Sequence, residues 1–230
     1  MSSPLSLATN ARASTSQFGR EAQSLLTVEN ALPDPQRVVE IAARHKFARH
    51  GEFYPGMRAP VSEAIAMPLV VPLLDQIERV FELARPPLYH ECYLSLVTIP
   101  PAELAPIQRL PHFDGTERER IAVLLYLDRS ERGGTGFYRQ RSTGFESVGS
   151  ERFELYRSRL EEGISRHGLP DAQYISGDTD LFERIHRVEG VFNTMILYRG
   201  NTLHCADLPA DFAPDTDPQT GRLTLNLFLA

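Results

Sequence analysis

The chain contains a single lysine, Lys46, and only two cysteines, Cys92 and Cys205. Two cysteines cannot build a disulfide framework, and both sit in apolar, strand-like surroundings, which predicts buried free thiols. A basic excess is also missing: 24 lysines and arginines stand against 30 aspartates and glutamates, a formal charge of -6. A surface that tracks phosphates normally brings the opposite balance, so no nucleic-acid partner is expected. The opening segment MSSPLSLATNARASTSQFGREAQ lacks the continuous apolar core of a signal peptide. No apolar run approaches the roughly 20 residues that span a bilayer, so no membrane partner is expected. These absences fit a cytoplasmic enzyme or binding protein. No internal repeat and no linker interrupts the chain, so residues 1–230 are expected to form one domain.

Prolines (17) and glycines (15) are plentiful, which favours many turns over a helical bundle. Residues 1–24 are small, polar and aperiodic, a loose arm or an early edge strand. Asp34 and Pro35 read as an N-cap followed by proline in the first helical turn, and Val38, Ile41, Ala42 and His45 share one face of that helix. GEFYPGMRAPVS reads as loop, and a second helix is expected over about 72–84. The period then changes. YHECYLSLVTI (89–99), RIAVLLYLD (120–128) and TGFYRQRS (135–142) have strand composition. Phe153, Tyr156, Leu160 and Ile164 recur at helical spacing before Gly168, inside a partly helical insert over 142–190. VFNTMILYRGNTLHCA and GRLTLNLFLA supply the last strands. Short strands without βαβ alternation predict a mainly β fold, a sandwich or barrel with peripheral helices. Residues 1–88 would pack as an arm and helices on a core formed by 89–230.

Just before the most apolar strand, HFD places His112 and Asp114 two residues apart, on one face of an extended segment. A turn beside Gly115 accounts for them cheaply; a metal site accounts for them only with a third ligand. Asp128, His186 and His204 are the candidates. His204 has the best setting, because the turn in YRGNTLHCA can return a strand to the mouth of a barrel. Two imidazoles and one carboxylate occupy one face of an octahedral Fe(II) and leave the other face open.

With GGTGFY at 133–138, GNTLH at 200–204 and RLT at 222–224 following HFD in order, the chain resembles the 2-oxoglutarate/Fe(II)-dependent dioxygenases, most nearly their prolyl-hydroxylase-like branch. The resemblance covers about residues 89–230. It implies a double-stranded β-helix (jelly-roll, cupin-like) core, metal ligation by His112, Asp114 and His204, and anchoring of the cosubstrate carboxylate by Arg222 with Thr224. It further implies Fe(II), 2-oxoglutarate and dioxygen as cofactor and cosubstrates, with succinate and carbon dioxide as products. Hydroxylation is the default outcome, since Asp114 fills the position that a halide would need. Arg222 follows His204 by eighteen residues, more than the family's usual interval, which blurs the branch.

The residues agree with that transfer. Arginine offers a carboxylate a planar fork of donors, and a threonine two positions on faces the same side of a strand. Leu223, Leu225, Leu227 and Leu229 would take the opposite face, leaving Asn226 and Phe228 on the cavity side. Tyr93, Tyr126, Tyr138 and Asn193 are further candidates for lining the cosubstrate pocket, against a packing role in the sheets. His90 and Cys92 form another alternate pair, read as structural, and Cys205 should point away from its neighbour's metal. An amino acid, a peptide or protein, or a small metabolite remains open as substrate, and a homodimer remains open as assembly. The competing readings are an iron oxygenase that does not use 2-oxoglutarate and a noncatalytic cupin-like metal-binding or interaction protein. Arg222 with Thr224 speaks against the oxygenase and the metal-binding protein, and the full ligand set speaks against an interaction protein with a decayed site.

Overall fold

The computed structural model describes residues 3–51 and 53–230. Its strands are β1 (Arg12–Phe18), β2 (Gln23–Glu29), β3 (Gly56–Pro60), β4 (Tyr89–Val97), β5 (Ile121–Tyr126), β6 (Gly134–Gln140), β7 (Phe182–Glu189), β8 (Met195–Arg199), β9 (His204–Asp207) and β10 (Leu223–Leu229). Seven form a major sheet in the order β1-β2-β8-β5-β10-β4-β3, and three form a minor sheet in the order β7-β6-β9. Pairing is antiparallel throughout these ladders. The two sheets share the lining of one cavity, the arrangement of a double-stranded β-helix.

The sheet works because its strands have two different faces. Along β10, Leu223, Leu225, Leu227 and Leu229 are fully buried in the main core. That core also receives Val38, Val39 and Ala42 of helix α1 (Pro35–Ala42) and Ile77 of helix α3 (Leu74–Val80). Each leucine removed from water contributes about 1.5–3 kcal/mol, so this face fixes the register. Arg222, Thr224, Asn226 and Phe228 turn the other way and border the cavity. Strand β10 is paired on both edges, with β4 and with β5. Its amides should therefore be among the slowest to exchange, and rapid deuteration throughout 222–229 would contradict this pairing.

Helix α1 begins as expected: Asp34 accepts from the Arg37 backbone N–H (3.0 Å), with Pro35 in the first turn. Three differences from the sequence reading have physical causes. The stretch taken as loop contains β3, an edge strand that forms a ladder with β4 and meets Ala48 on its other side through a bridge at Arg58; at such an edge a terminal Pro60 is tolerated. The second helix is shorter than expected. It is α3, at Leu74–Val80 against the expected 72–84, and the chain before it adds a helix not foreseen, α2 (Glu63–Ala66), which passes into 3-10 turns at Met67–Leu69 and Val71–Leu73 with Pro68 and Pro72 near their starts. The first 88 residues do not merely pack on the core, because β1, β2 and β3 are strands of the major sheet.

The β1–β2 turn is tied to the minor sheet by Glu146, which is fully buried. Its carboxylate accepts from the backbone N–H groups of Arg20 (2.8 Å) and Glu21 (3.0 Å) and from Arg139 Nε (2.8 Å). The insert contains helix α4 (Phe153–His167), closed by Gly168 at φ 81°, and then β7 at the edge of the minor sheet.

Candidate metal centre and cavity

His112 and His204 lie directly opposite each other in an antiparallel bridge, exchanging both backbone hydrogen bonds (2.9 and 2.8 Å). Their rings consequently meet with centroids 4.4 Å apart. Asp114 follows two residues on, its N–H donating to the Gly200 carbonyl at 2.7 Å. Gly115 then turns the chain away at φ 148°, where an added Cβ would come within 2.4 Å of the Glu117 carboxylate. Sequence positions 92 residues apart thus reach one point through a single bridge.

His112 Nε2 is 3.7 Å from Asp114 Oδ1, and His204 Nε2 is 3.3 Å from Asp114 Oδ2. One ligand atom from each residue lies within 4.8 Å of the others. His204 Nδ1 lies 2.8 Å from the Thr202 carbonyl, which can only accept, so Nδ1 carries the proton and Nε2 presents its lone pair. A lone pair and a carboxylate oxygen facing each other at that separation require a proton or a cation between them. On one octahedral face, ligand atoms at ordinary bond lengths are roughly 3 Å apart, so small side-chain rotations bring these three into place. The donor set fits a divalent metal. Neutral imidazole suits it too: although the His112 side chain is 49% exposed, desolvation by the surrounding cavity walls, then His204 and Arg58, hold it below the usual histidine range. Burial pushes the Asp114 carboxyl up, opposed chiefly by His204 and then by Arg58. The Tyr198 ring stands edge-on to His204 at 4.7 Å, its hydroxyl kept protonated by burial and by the charge of Asp114.

The triad opens on a cavity of about 730 Å³, which Arg222 and Thr224 also border. Arg222 is buried, at 5% exposure, and donates one hydrogen bond, from Nη2 to the Gly134 carbonyl (2.9 Å). Among the described residues no carboxylate pairs with it. A buried guanidinium without a counter-charge is costly unless an anion joins it. Nearby, the Tyr54 hydroxyl faces Ser95 and Thr224, yet the buried Tyr54 and Ser95 hydroxyls form no hydrogen bond. Cross-strand register explains the cluster: Arg58, Ser95, Thr224 and Tyr126 are successive partners across β3, β4, β10 and β5. The Thr224 hydroxyl donates to Asn226 Oδ1 (2.9 Å); one cation and the two unused hydroxyls of Tyr54 and Ser95 are what a carboxylate-bearing ligand needs.

The other candidates divide. Tyr126 is one step behind the wall; its hydroxyl, raised to about 12 by burial, hydrogen-bonds Thr135 Oγ1 at 2.7 Å, and Thr135 borders the cavity. Tyr138 is buried in an apolar cluster with Tyr156 and Phe182 and is not part of the lining. Asn193 corrects the expectation most clearly. It stands in a turn before β8 at φ 63°, and its side chain accepts from the Leu32 N–H (2.9 Å) and donates to the Leu32 carbonyl (3.0 Å). It fastens the segment after β2 and does not reach the cavity. Asn193→Ala should cost about 1–2 kcal/mol in thermal or denaturant unfolding while leaving ligand binding unchanged.

Asp128 is occupied by Arg132 and by the Ser130 N–H, and His186 stacks on Phe18 (4.8 Å). Of the three candidate third ligands, the structure brings only His204 to His112 and Asp114. Tyr93 hydrogen-bonds Glu91 and His50, both at 2.8 Å. Cys92 is buried in the main core and His90 is exposed. Cys205 borders the cavity outside the metal cluster, its thiol pushed up to about 12 by burial. The sequence reading overlooked Tyr54, Arg58 and Tyr198. The first two lie in the stretch taken as loop; Tyr198 was open to detection by counting alternate positions along VFNTMILYRG.

Fold and site together define a chain with the double-stranded β-helix of the 2-oxoglutarate/Fe(II) oxygenases and a His-Asp-His cluster at its mouth. HygX from Streptomyces hygroscopicus, solved with nickel, 2-oxoglutarate and hygromycin B bound, is 14% identical with a TM-score of 0.52, over 91% of this chain and 84% of HygX. A prolyl-4-hydroxylase from Pseudomonas putida is 15% identical with a TM-score of 0.48, over 91% of this chain and 93% of its own. The chain belongs to the family of unknown function DUF6445, whose model matches residues 9–229. No curated protein is similar to it in sequence. Among the described residues, no helix is long and apolar enough to cross a membrane.

Proposed function

We propose that the chain is an Fe(II)- and 2-oxoglutarate-dependent oxygenase that hydroxylates a small molecule or a peptide or protein residue. The observation that carries this reading is the pairing of two incomplete sites in one cavity. Three metal-ligand side chains converge at its mouth, and a buried guanidinium without a carboxylate partner stands among unused hydroxyl donors deeper in. When bound, Fe(II) with 2-oxoglutarate and dioxygen supplies an oxidation coupled to formation of succinate and carbon dioxide.

His112, Asp114 and His204 would hold the metal, with the Thr202 carbonyl fixing the His204 tautomer. Arg222 would anchor the far carboxylate of 2-oxoglutarate, aided by Thr224 and by the Tyr54 and Ser95 hydroxyls. Tyr198 and the apolar wall of Ala122, Leu124 and Phe228 limit water around the metal ligands. An oxygenase that does without 2-oxoglutarate would leave Arg222 with no counter-charge.

The test is anaerobic titration followed by visible spectroscopy. A charge-transfer band should arise only when Fe(II) and 2-oxoglutarate are both present, and succinate should form once air is admitted with a substrate. A protein that binds Fe(II) but shows no change with 2-oxoglutarate would leave only the coarser metal-binding reading.

A further inference from the structure

Two opposite charges border the same cavity, and among the described residues neither is matched by an opposite charge. The Arg58 guanidinium lies 4.2 Å from the centroid of the Tyr54 ring and 5.1 Å from that of Tyr93. Its Nε is buried without an acceptor, and among the described residues no carboxylate reaches it. Glu91 accepts from the Tyr93 hydroxyl at 2.8 Å, and among the described residues it meets no cation. Tyr93, steadied on its other side by His50 at 2.8 Å, therefore separates a fixed cation from a fixed anion. Both line the cavity on which His112, Asp114 and His204 open.

Resting on the oxygenase reading, we propose that Arg58 and Glu91 select a zwitterionic substrate, a free amino acid with an apolar side chain. Arg58 receives its carboxylate and Glu91 its ammonium group. Had the fold needed these charges only for itself, pairing them would be the cheapest arrangement; kept apart by an aromatic spacer, they match a ligand that carries both signs. Arg222 is engaged separately: it lies off the Arg58–Ser95–Thr224 row, two residues before Thr224, and is held by the Gly134 carbonyl, so two anions can be held at once. The remaining lining suits an apolar side chain: Phe53, Ile107, Phe113 and Phe153 border the cavity, and three of them are exposed in the free protein at 67%, 45% and 36% for Phe53, Ile107 and Phe153.

The probes are L-phenylalanine, 3-phenylpropionate, which lacks the ammonium group, and 2-phenylethylamine, which lacks the carboxylate. Each is titrated into the Mn(II)-loaded full chain, with and without 2-oxoglutarate, and followed by the metal-induced relaxation of its protons. Phenylalanine should bind at least about tenfold more tightly than either analogue, the scale of one charge-assisted contact. Arg58→Gln should erase its advantage over phenylethylamine, and Glu91→Gln its advantage over phenylpropionate. Arg58→Lys, which keeps the charge, should retain most of the carboxylate preference. Equal binding of the three probes, binding of none, or preferences that survive both glutamine variants would each overturn the assignment. The affinity for 2-oxoglutarate in the same samples separates the two readings. Charge selectivity without 2-oxoglutarate binding removes the oxygenase reading alone, whereas 2-oxoglutarate binding without charge selectivity removes only this one.

Discussion

His204→Ala is expected to lower divalent-metal affinity by at least about 100-fold, beyond the loss that follows when a mere hydrogen-bond partner of a metal ligand is removed. His204 is the buried member of the cluster, and its Nε2 already faces Asp114 at 3.3 Å with its proton committed to Nδ1. Alanine leaves the facing carboxylate and His112 as two separate donors, too few to hold one ion against water. The fold should survive, because the bridge to His112 is made by backbone atoms and is indifferent to the side chain. Mn(II) titration by calorimetry, alongside a thermal melt, checks both halves. Wild-type affinity in a folded His204→Ala protein would remove His204 from the site. The same substitution at His186, which stacks on Phe18, should leave metal affinity unchanged.

Which parts of this site could be read from sequence follows from how local their signals are. The two faces of β10 were legible because four leucines alternate with Arg222, Thr224, Asn226 and Phe228, and a strand with period two has no other way to sort them. HFD and GNTLH were legible as pieces, but nothing local says that His112 and His204 occupy one bridge; that depends on the long-range pairing of β9. Edge strands were the blind spot. β3 carries Gly56 and Pro60, and β7 reads FERIHRVE with a largely solvated face, so neither shows the apolar run that marks a buried strand. Arg58 and Tyr54 were lost with β3. Asn193 shows the opposite failure: an amide near a strand suggests a pocket, but its positive φ and its contacts with Leu32 are properties of a turn.

Arg222→Lys should weaken 2-oxoglutarate binding by roughly 10- to 150-fold, the equivalent of about 1.5–3 kcal/mol for one charge-assisted contact, while leaving metal affinity near wild type. The Arg222 side chain is buried beside the Gly134 carbonyl and spends one donor there, which leaves the rest of its fork for a carboxylate. Lysine keeps the charge but concentrates it on one nitrogen, so it cannot hold the carbonyl and both carboxylate oxygens in the same geometry. Metal affinity should hold because Arg222 lies outside the His112, Asp114 and His204 cluster and forms no hydrogen bond or ion pair with it. Calorimetry without oxygen on Mn(II)-loaded protein separates binding from turnover. Ser95→Ala supplies an internal scale: its hydroxyl has no partner in the free protein, so its removal should cost less affinity and no stability. Equal 2-oxoglutarate affinity in wild type and Arg222→Lys would take the anchor away. Arg222 would then be a buried cation that the fold tolerates without a ligand, and the His-Asp-His cluster would belong to a protein that needs no 2-oxoglutarate.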